Sequence, residues 1–258
     1  MERWCGGVAV VTGASSGIGR GIAAALVEHG MKVIAMARRE DRLQELKNEV
    51  EGKKGELIPY KIDITNKDDV QTAFDWIEKD FGGIHVLINN AGIAKASKFS
   101  ETKIEDLESV YNLNILSLSI MSTGAMQSML KHEIDGHIIN IASIAAQIST
   151  PFPGLTPYFA SKRAVKGISE GLIGELAEMK SKIKVTTISP GLVLTEIITK
   201  SNQKFPNEQP ILKVEDVANA AIYALSQPPN VAITELTIQP VGESIYHLSQ
   251  GARKVCFP

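Results

Sequence analysis

Residues 8–19 read VAVVTGASSGIG, and this stretch decides the fold. Its first part, Val8–Thr12, is a short β-branched run without polar alternation, which is typical of a strand buried on both faces. From Gly17 onward, apolar residues recur at helical spacing until Gly30, a good helix stop. The glycine-rich turn between them opens a helix N-terminus, where backbone N–H groups and a partial positive charge suit a pyrophosphate. The stretch therefore predicts a strand–turn–helix unit that binds a dinucleotide.

Strands and helices continue to alternate along the rest of the chain. Because parallel strands need helical crossovers, this pattern predicts an α/β fold, a doubly wound parallel sheet covered by helices on both faces. Strands are predicted at 8–12, 32–37, 57–62, 85–88, 137–142, 184–188 and 235–238. The longest helical stretches are predicted at 103–131 and 158–179.

Length and composition narrow the classes of function. The chain has 258 residues, enough for one large α/β domain, and its 27 basic and 29 acidic residues give a net charge of −2. This balance argues against a protein that binds nucleic acid or anionic membranes through bulk charge. Two cysteines, Cys5 and Cys256, and five scattered histidines predict neither a disulfide framework nor a metal site. Without a signal-peptide pattern or an apolar run of about 18 residues, a cytoplasmic protein with no membrane span is expected.

The glycine-rich turn also matches a second motif. Residues 13–17 satisfy G-x-S-x-G, the nucleophile elbow of α/β-hydrolases, which likewise joins a strand to a helix. Ser15 would then be the nucleophile, with Asp216 and His247 as candidate partners. An elbow at the first strand leaves no earlier segment for an oxyanion loop and gives Gly19 no role. The hydrolase is therefore the less favoured alternative.

The end of the second predicted strand indicates which dinucleotide binds. An acid that bonds to the ribose 2′-hydroxyl of NAD is expected about 20 residues after the glycines. The chain instead reads Ala37-Arg38-Arg39, and guanidinium groups form charge-assisted, often bidentate bonds to phosphate. Glu40 or Asp41 could still bind the ribose hydroxyl of NAD, which keeps NAD as an alternative cofactor. Both acids, however, suit the first turn of the next helix. NADP(H) is the expected cofactor, and a solvated arginine pair is the alternative.

One tyrosine–lysine pair has the spacing of acid–base machinery. Of five tyrosines, only Tyr158 is followed four residues later by a lysine, Lys162. This spacing places both side chains on one helical face, about one turn apart. An adjacent ammonium stabilises a phenolate and lowers the phenol pKa from about 10. Tyr158 is thus expected to exchange a proton with an alcohol or carbonyl oxygen, and a chance surface pair is the alternative.

Two more polar residues are candidates for the same site. Ser143 follows an apolar strand, and the carboxyl ends of parallel strands face the ligand crevice. Its hydroxyl is expected to hold the substrate oxygen beside Tyr158. Asn114 lies in the middle of a predicted helix, where its amide has poor helix propensity. It is a candidate to bind a water that links Lys162 to solvent; a helix-surface asparagine and an ordinary loop serine are the alternatives.

These motifs, with Asn89-Asn90-Ala91-Gly92 and Pro190-Gly191, resemble the short-chain dehydrogenase/reductase family in order and approximate spacing over nearly the whole chain. The resemblance implies one Rossmann-type domain over residues 1–258, a seven-stranded sheet and hydride transfer to or from NAD(P). It implies the catalytic tetrad Asn114, Ser143, Tyr158 and Lys162, with Ser143 and Tyr158 also binding substrate. The residues implied to contact the cofactor are Gly13, Ser15, Ser16, Gly17, Ile18, Gly19, Arg38, Arg39, Asp63, Ile64, Asn90, Ala91, Gly92, Tyr158, Lys162, Pro190, Gly191, Val193 and Thr195.

The resemblance also implies individual roles at the cofactor. Asn90 would lie against the adenine ribose and Asp63 against the adenine ring, while Arg38 would select NADP. Lys162 would hold the nicotinamide ribose, and the backbone of 190–193 with Thr195 would contact the carboxamide.

The expected substrate is a small lipophilic alcohol or its carbonyl product. Several stretches resemble the branch of the family that acts on farnesol-like alcohols, steroids and retinoids. A substrate-side lid is expected at about 193–212, and a homodimer or homotetramer is expected through the helix with Leu118, Met121, Met126 and Met129 together with that starting at Tyr158. A non-catalytic NADP(H) sensor is the remaining rival. The apolar pocket candidates are Phe152, Leu155, Leu192, Ile197 and Ile198.

Overall fold

Seven parallel strands form the centre of the protein. The structure is a computed structural model, and it describes residues 1–148, 154–196 and 210–243. In chain order, strands β1–β7 span Val8–Thr12, Lys32–Ala37, Glu56–Lys61, Val86–Asn89, His137–Ile141, Lys184–Pro190 and Glu235–Ile238. Helices α1–α7 span Gly17–Glu28, Glu40–Glu49, Lys67–Phe81, Ile104–Tyr111, Leu118–Lys131, Thr156–Glu178 and Val214–Ser226. The α/β fold predicted from the sequence is confirmed.

The strand order places the candidate site. The sheet runs β3-β2-β1-β4-β5-β6-β7, so the chain starts in the middle, builds outward to β3 and returns to the other side of β1 at β4. In open parallel sheets, ligands bind outside the carboxyl ends of the strands at such a reversal. The glycine-rich turn follows β1 and residues 90–92 follow β4, so both lie at this point.

Strand burial follows from position in the sheet. Every residue of β1, β5 and β6 is buried, as expected for strands that have neighbours on both sides and helices on both faces. Strand β3 is at the edge of the sheet and contains Pro59, which an edge strand tolerates because one side of it needs no backbone donor.

Two apolar cores hold the helices against the sheet. Helices α1, α2 and α7 cover one face, where Leu26 and Val217 are fully buried. Helices α3, α5 and α6 cover the other face, where Ile77 and Met121 are almost completely buried. Burial of such side chains, worth roughly 1.5–3 kcal/mol each, fixes the strand ends that carry the site.

One predicted helix is interrupted. The sequence predicted a single helical stretch over 103–131, whereas the structure has α4, a π-helical turn at Asn112–Ser117, and α5. The stretch is helical from 104 to 131 as predicted, but the π turn was not predicted, because hydrophobic periodicity does not distinguish i→i+4 from i→i+5 bonding over one turn. Single π turns occur frequently at functional sites, and this one contains Asn114.

The segment predicted as a lid is described only at its two ends. Val193 forms a parallel bridge with Leu212, and the Leu212 N–H donates to the Leu192 carbonyl at 2.8 Å. Residues 197–209 lie outside the described part of the chain. None of the helices in the described ranges is both long enough and apolar enough to cross a membrane.

Candidate active site

The glycine-rich turn presents an uncapped helix N-terminus. Gly13 and Gly17 adopt positive φ of 67° and 54°, a conformation that disfavours other residues. Ser16 is the N-cap of α1 but makes no side-chain cap hydrogen bond, and the first turn of α1 contains no acid. The first N–H groups of α1 and the positive end of its dipole therefore suit an anion, as a dinucleotide pyrophosphate requires.

Asn90 braces this turn from the end of β4. Its Nδ2 donates to the carbonyls of Thr12 at 3.0 Å and Gly13 at 3.3 Å. A Cβ on Gly19 would lie 2.3 Å from Asn90 Nδ2 and 2.6 Å from the Gly13 carbonyl oxygen, so Gly19 permits the close approach of α1 to the turn. Within the described residues, the Asn90 amide is thus bonded to the turn itself. The backbone N–H groups of Asn90 and Ala91 both donate to Thr12 Oγ1.

The two arginines after β2 occupy different environments. Arg39 donates from Nε and Nη2 to Ser15 Oγ at 3.1 and 2.9 Å and from Nη2 to Ser16 Oγ at 2.8 Å. The Arg38 side chain is 72% exposed and lies 3.8 Å from Asp63 Oδ2. Arg39 is therefore the guanidinium that contacts the glycine-rich turn, while Arg38 lies at the rim.

The carboxyl end of β3 holds the other two adenine-side candidates. Asp63 Oδ1 accepts from the N–H and the hydroxyl of Thr65, and Ile64 is buried. Burial works to raise the pKa of Asp63, but the Thr65 hydrogen bonds and the Arg38 charge outweigh it and hold this pKa below its usual value. Asp63 therefore remains ionised at neutral pH.

Three members of the predicted tetrad meet at the carboxyl end of β5. The Ser143 side chain lies close enough to the Tyr158 hydroxyl to act on its pKa as a hydrogen-bond partner. Lys162 Nζ donates to the Ile141 carbonyl at 2.9 Å and lies 5.8 Å from the centre of the Tyr158 ring. Lys162 is 5% exposed, so its ammonium is held inside the protein. Pro157, in the first turn of α6, fits the helix start that places Tyr158 here.

The fourth member, Asn114, is held by the π-helical turn. Its Oδ1 accepts from the Ile93 N–H and its Nδ2 donates to the Ile93 carbonyl, both at 2.9 Å. Nδ2 also donates to Ser161 Oγ at 3.0 Å, and that hydroxyl donates to the Tyr158 carbonyl. Asn114 thereby joins the loop after β4 to the start of α6. A Cβ on Gly92 would lie 3.3 Å from Asn114 Oδ1 and 3.5 Å from Lys162 Nζ, so both atoms border that glycine.

Comparison with known proteins shows the family of the chain. The family model for short chain dehydrogenases matches residues 7–205. The chain belongs to the short-chain dehydrogenase family. It is 44% identical over 245 residues to the farnesol dehydrogenase of Aedes aegypti, covering 94% of this chain and 99% of that relative. The family resemblance inferred from the motifs is confirmed.

Two solved structures are similar over most of the chain. An alcohol dehydrogenase from the archaeon Thermococcus sibiricus, complexed with 5-hydroxy-NADP, has a TM-score of 0.82 and 25% identity, covering 92% of this chain and 98% of that one. A serine dehydrogenase complexed with NADP+ also has a TM-score of 0.82, with 32% identity and coverage of 92% and 96%.

The pKa values of this short-chain dehydrogenase correct one expectation. Burial raises the pKa of Tyr158 above its ordinary 10, and the hydrogen bond with Ser143 only partly opposes this. Burial also lowers the pKa of Lys162 to about 8. In the chain by itself the pKa of Tyr158 is therefore raised rather than lowered, because burial outweighs the hydrogen bond with Ser143, and the expected effect of Lys162 on this pKa stays a prediction.

An acid that the sequence reading missed supports the segment after β6. Glu243 Oε1 accepts from the Leu192 N–H at 3.0 Å, and its Oε2 accepts from Gln239 Nε2 at 3.2 Å. A Cβ on Gly191 would lie 2.1 Å from that carboxylate. Thr195 lies against the glycine-rich turn, with its Cγ2 3.1 Å from a Cβ built on Gly17. No local pattern marks Glu243, because it acts on a residue 51 positions earlier.

The apolar wall beside Tyr158 is partly the predicted one. Leu155 and Tyr158 pack against a small buried cluster, and Leu192 is half-buried. Phe152, Ile197 and Ile198 lie outside the described residues. The sequence reading did not single out the members of that cluster, which are Ile144, Ala145, Ile148 and Phe159.

The structure places the residues of the expected subunit-pairing face, and those of the alternative hydrolase site, in surroundings that do not suit these roles. Leu118, Met121, Met126 and Met129 are all less than a tenth exposed and pack within the chain, so they offer no apolar face for subunit pairing. Ser15 contacts Arg39, and Asp216 accepts from the Lys213 N–H in a helix cap, so neither forms part of a nucleophile–base pair. His247 lies outside the described residues. Over the described ranges, no cluster of three or more His, Cys, Asp or Glu side chains is arranged to hold a metal.

Proposed function

We propose that this short-chain dehydrogenase interconverts a lipophilic, farnesol-like alcohol and its aldehyde or ketone with NADP(H). The observation that carries the proposal is the grouping of Ser143, Tyr158 and a buried Lys162 at the carboxyl end of β5, across from the glycine-rich turn, with Ser143 close enough to act on the Tyr158 hydroxyl. Hydroxyls and a cation in this arrangement serve an oxygen that gains or loses a proton.

The cofactor choice rests on the residues after β2. No carboxylate follows that strand directly, and two guanidinium groups do. Arg39, Ser15 and Ser16 together would hold a 2′-phosphate, and the N-terminus of α1 would hold the pyrophosphate. Lys162, Thr195 and the backbone after β6 would hold the nicotinamide half. Both solved relatives named above carry an NADP-type cofactor.

Each member of the tetrad has a distinct task in the proposed reaction. The cofactor, when bound, supplies or accepts the hydride. Ser143 donates a hydrogen bond to the substrate oxygen and orients it toward Tyr158. Tyr158 gives its hydroxyl proton to a carbonyl oxygen, or removes the proton of an alcohol in the reverse direction. Lys162, a buried cation, stabilises the resulting phenolate. Asn114 holds the loop after β4 and the start of α6 together, and the second lone pair of its Oδ1 is available to a water beside Lys162.

The two protonation states favour reduction near neutral pH. Because burial raises the pKa of Tyr158, its phenol is protonated and ready to donate at pH 7. Because the pKa of Lys162 is about 8, the amine is mostly charged there as well. Alcohol oxidation, which needs the phenolate, is expected to accelerate as pH rises.

The substrate class rests on the apolar cluster next to Tyr158 and on similarity to a farnesol dehydrogenase. Steroid and retinoid alcohols are the alternatives within the same chemistry. The similar serine dehydrogenase raises a polar hydroxy acid as a second candidate. An apolar wall of isoleucine, alanine and phenylalanine side chains favours the lipophilic classes over serine.

The assembly proposal is a homodimer or homotetramer. Helix α6 carries Gly167, Gly171 and Gly174, each with open space where a Cβ would project. Spacings of three and four residues put these glycines on one helical face, which lets another helix approach closely. The corresponding measurement is the molar mass in solution by light scattering.

A substrate panel tests the function. Farnesol, retinol, a steroid alcohol, serine and a short secondary alcohol are compared through NADPH absorbance, with wild type and Tyr158→Phe. We expect turnover of the lipophilic alcohols and a loss of at least about a hundredfold in the variant, as for removal of an acid–base group. Tight NADP+ binding with no turnover on any substrate would instead indicate a non-catalytic sensor.

A further inference from the structure

Glu196 connects two arginines beside the glycine-rich turn. Its Oε2 accepts from Arg39 Nη1 at 2.7 Å, and its Oε1 accepts from Arg42 Nη1. Arg39 follows β2 and Arg42 lies in the first turn of α2, whereas Glu196 belongs to the segment after β6, more than 150 residues later. All three side chains are about one-third exposed. We call this group the Glu196 bridge.

The Glu196 bridge occupies part of the Arg39 guanidinium, which the cofactor phosphate would need. Arg39 contacts both serines of the turn, whereas Arg38 points to Asp63 and is mostly exposed. A phosphate held by Arg39 would need guanidinium N–H groups of the kind that the carboxylate already occupies. Two anions close to the same pair of arginines also repel each other, so a phosphate gains less at this site than at a free guanidinium.

We propose that Glu196 sets the degree of preference for NADP(H) over NAD(H), by competing with the 2′-phosphate for Arg39 and Arg42. This inference rests on the proposed NADP(H) dependence and adds two residues, Glu196 and Arg42, to its determinants. NAD(H) has a neutral 2′-hydroxyl, which leaves the Glu196 bridge intact. Glu196 therefore weakens NADP(H) binding selectively and acts as a specificity-determining residue.

An opposite role for the same contacts makes the opposite prediction. If the Glu196 bridge stayed closed over a bound cofactor and retained it, removing the carboxylate would weaken NADP+ binding. The sign of the change in affinity thus separates competition from retention.

The test compares Glu196→Gln with wild type by titration calorimetry. The probes are NADP+, NAD+ and 2′,5′-ADP, which carries the 2′-phosphate without the nicotinamide. We expect NADP+ and 2′,5′-ADP to bind about three- to tenfold more tightly to the variant, the gain expected from releasing two partly exposed ion pairs. NAD+ affinity should change less than about twofold. The gain should shrink at high salt, because partly exposed charges are screened.

Glu45→Gln is the matched control. Glu45 is exposed on α2 and acts on Arg42 only through space, without a hydrogen bond. The same loss of one charge there should leave NADP+ affinity within about twofold. An equal gain in both variants would mean that net charge, not the Glu196 bridge, controls binding, and would overturn the proposal.

A double-mutant cycle with Arg39→Gln completes the experiment. Without the Arg39 guanidinium, adding Glu196→Gln should yield less than half of the gain seen in wild type. Unchanged or weaker NADP+ binding in Glu196→Gln refutes competition, although NADP(H) dependence would stand. If wild type itself binds neither NADP+ nor NAD+ while its thermal melt is cooperative, the proposed function fails as well.

Discussion

Replacing Lys162 with methionine should stabilise the protein while removing its activity. The amine is 5% exposed, and burial lowers its pKa from 10.5 to about 8. A shift of this size corresponds to about 3 kcal/mol of free energy that opposes folding when the amine is charged. Methionine has a similar shape and removes this penalty, but the Ile141 carbonyl then loses a donor, at about 1 kcal/mol. We therefore expect Lys162→Met to unfold with a free energy about 1–3 kcal/mol higher at pH 7.

The pH dependence gives a sharper signature. Because the folded pKa of Lys162 is lower than the unfolded one, the unfolded chain binds more protons between about pH 8 and 10.5. The contribution of Lys162 to the free energy of unfolding of the wild type is therefore most unfavourable below pH 8 and becomes less unfavourable as pH rises. The advantage of Lys162→Met should fall by about 1 kcal/mol between pH 7 and 9.

Urea unfolding at pH 7, 8 and 9 measures both quantities. Lys166→Met, one turn further along α6, is the control because its ammonium lies at the surface, 3.0 Å from Glu235. That change should alter stability by less than about 1 kcal/mol. A Lys162→Met protein that is less stable than wild type at pH 7, or whose difference from wild type does not change with pH, would refute a buried, destabilised ammonium.

Three further outcomes follow from the site. Gly19→Ala should abolish measurable NADP+ binding, because its Cβ would lie 2.3 Å from Asn90 Nδ2; unchanged binding in this variant would contradict the role of the turn. Asn114→Ala should lower the free energy of unfolding by roughly 1–3 kcal/mol and also reduce kcat, since the partly buried backbone groups of Ile93 lose their partners; chemical denaturation and steady-state assays check this, and unchanged values would count against it. For carbonyl reduction, kcat/KM for NADPH, which reports the enzyme before the cofactor binds, should fall above about pH 8 as Lys162 loses its proton, and a profile flat to pH 10 would exclude that role.

Local sequence patterns were sufficient to predict most of the fold and the positions of three residues at the candidate site. The run from Val8 to Gly19 and the alternation after it predicted the parallel sheet, because buried strands and helical crossovers leave strong local signatures. The proximity of Tyr158 and Lys162 was predictable because one helical turn brings them onto the same face. The position of Ser143 was predictable because a strand end in a parallel sheet faces the crevice, whereas the catalytic roles of all three stay predictions.

Contacts between distant segments were not predictable in the same way. Glu196 reaches Arg39 across 157 residues and Glu243 reaches Leu192 across 51, so neither leaves a periodic or spacing signal. The π-helical turn at Asn112–Ser117 was missed because its composition is that of an ordinary helix. The pKa of Tyr158 was misjudged because the sequence gives the neighbouring charge but not the extent of burial.

The buried amine links the fold to the chemistry. A lysine ammonium has three donors, and within the described residues the hydrogen bond to the Ile141 carbonyl accounts for one of them. An apolar residue at position 162 would serve the core better, so stability alone does not explain a charge there. The lysine is explicable if acceptors arrive with the ligand, because each new hydrogen bond to Nζ favours the charged form and raises its pKa again. The cost of burying the ammonium is thus recovered when a ligand binds, which ties the protonation of Lys162 to ligand binding in the crevice that β1, β4 and β5 define.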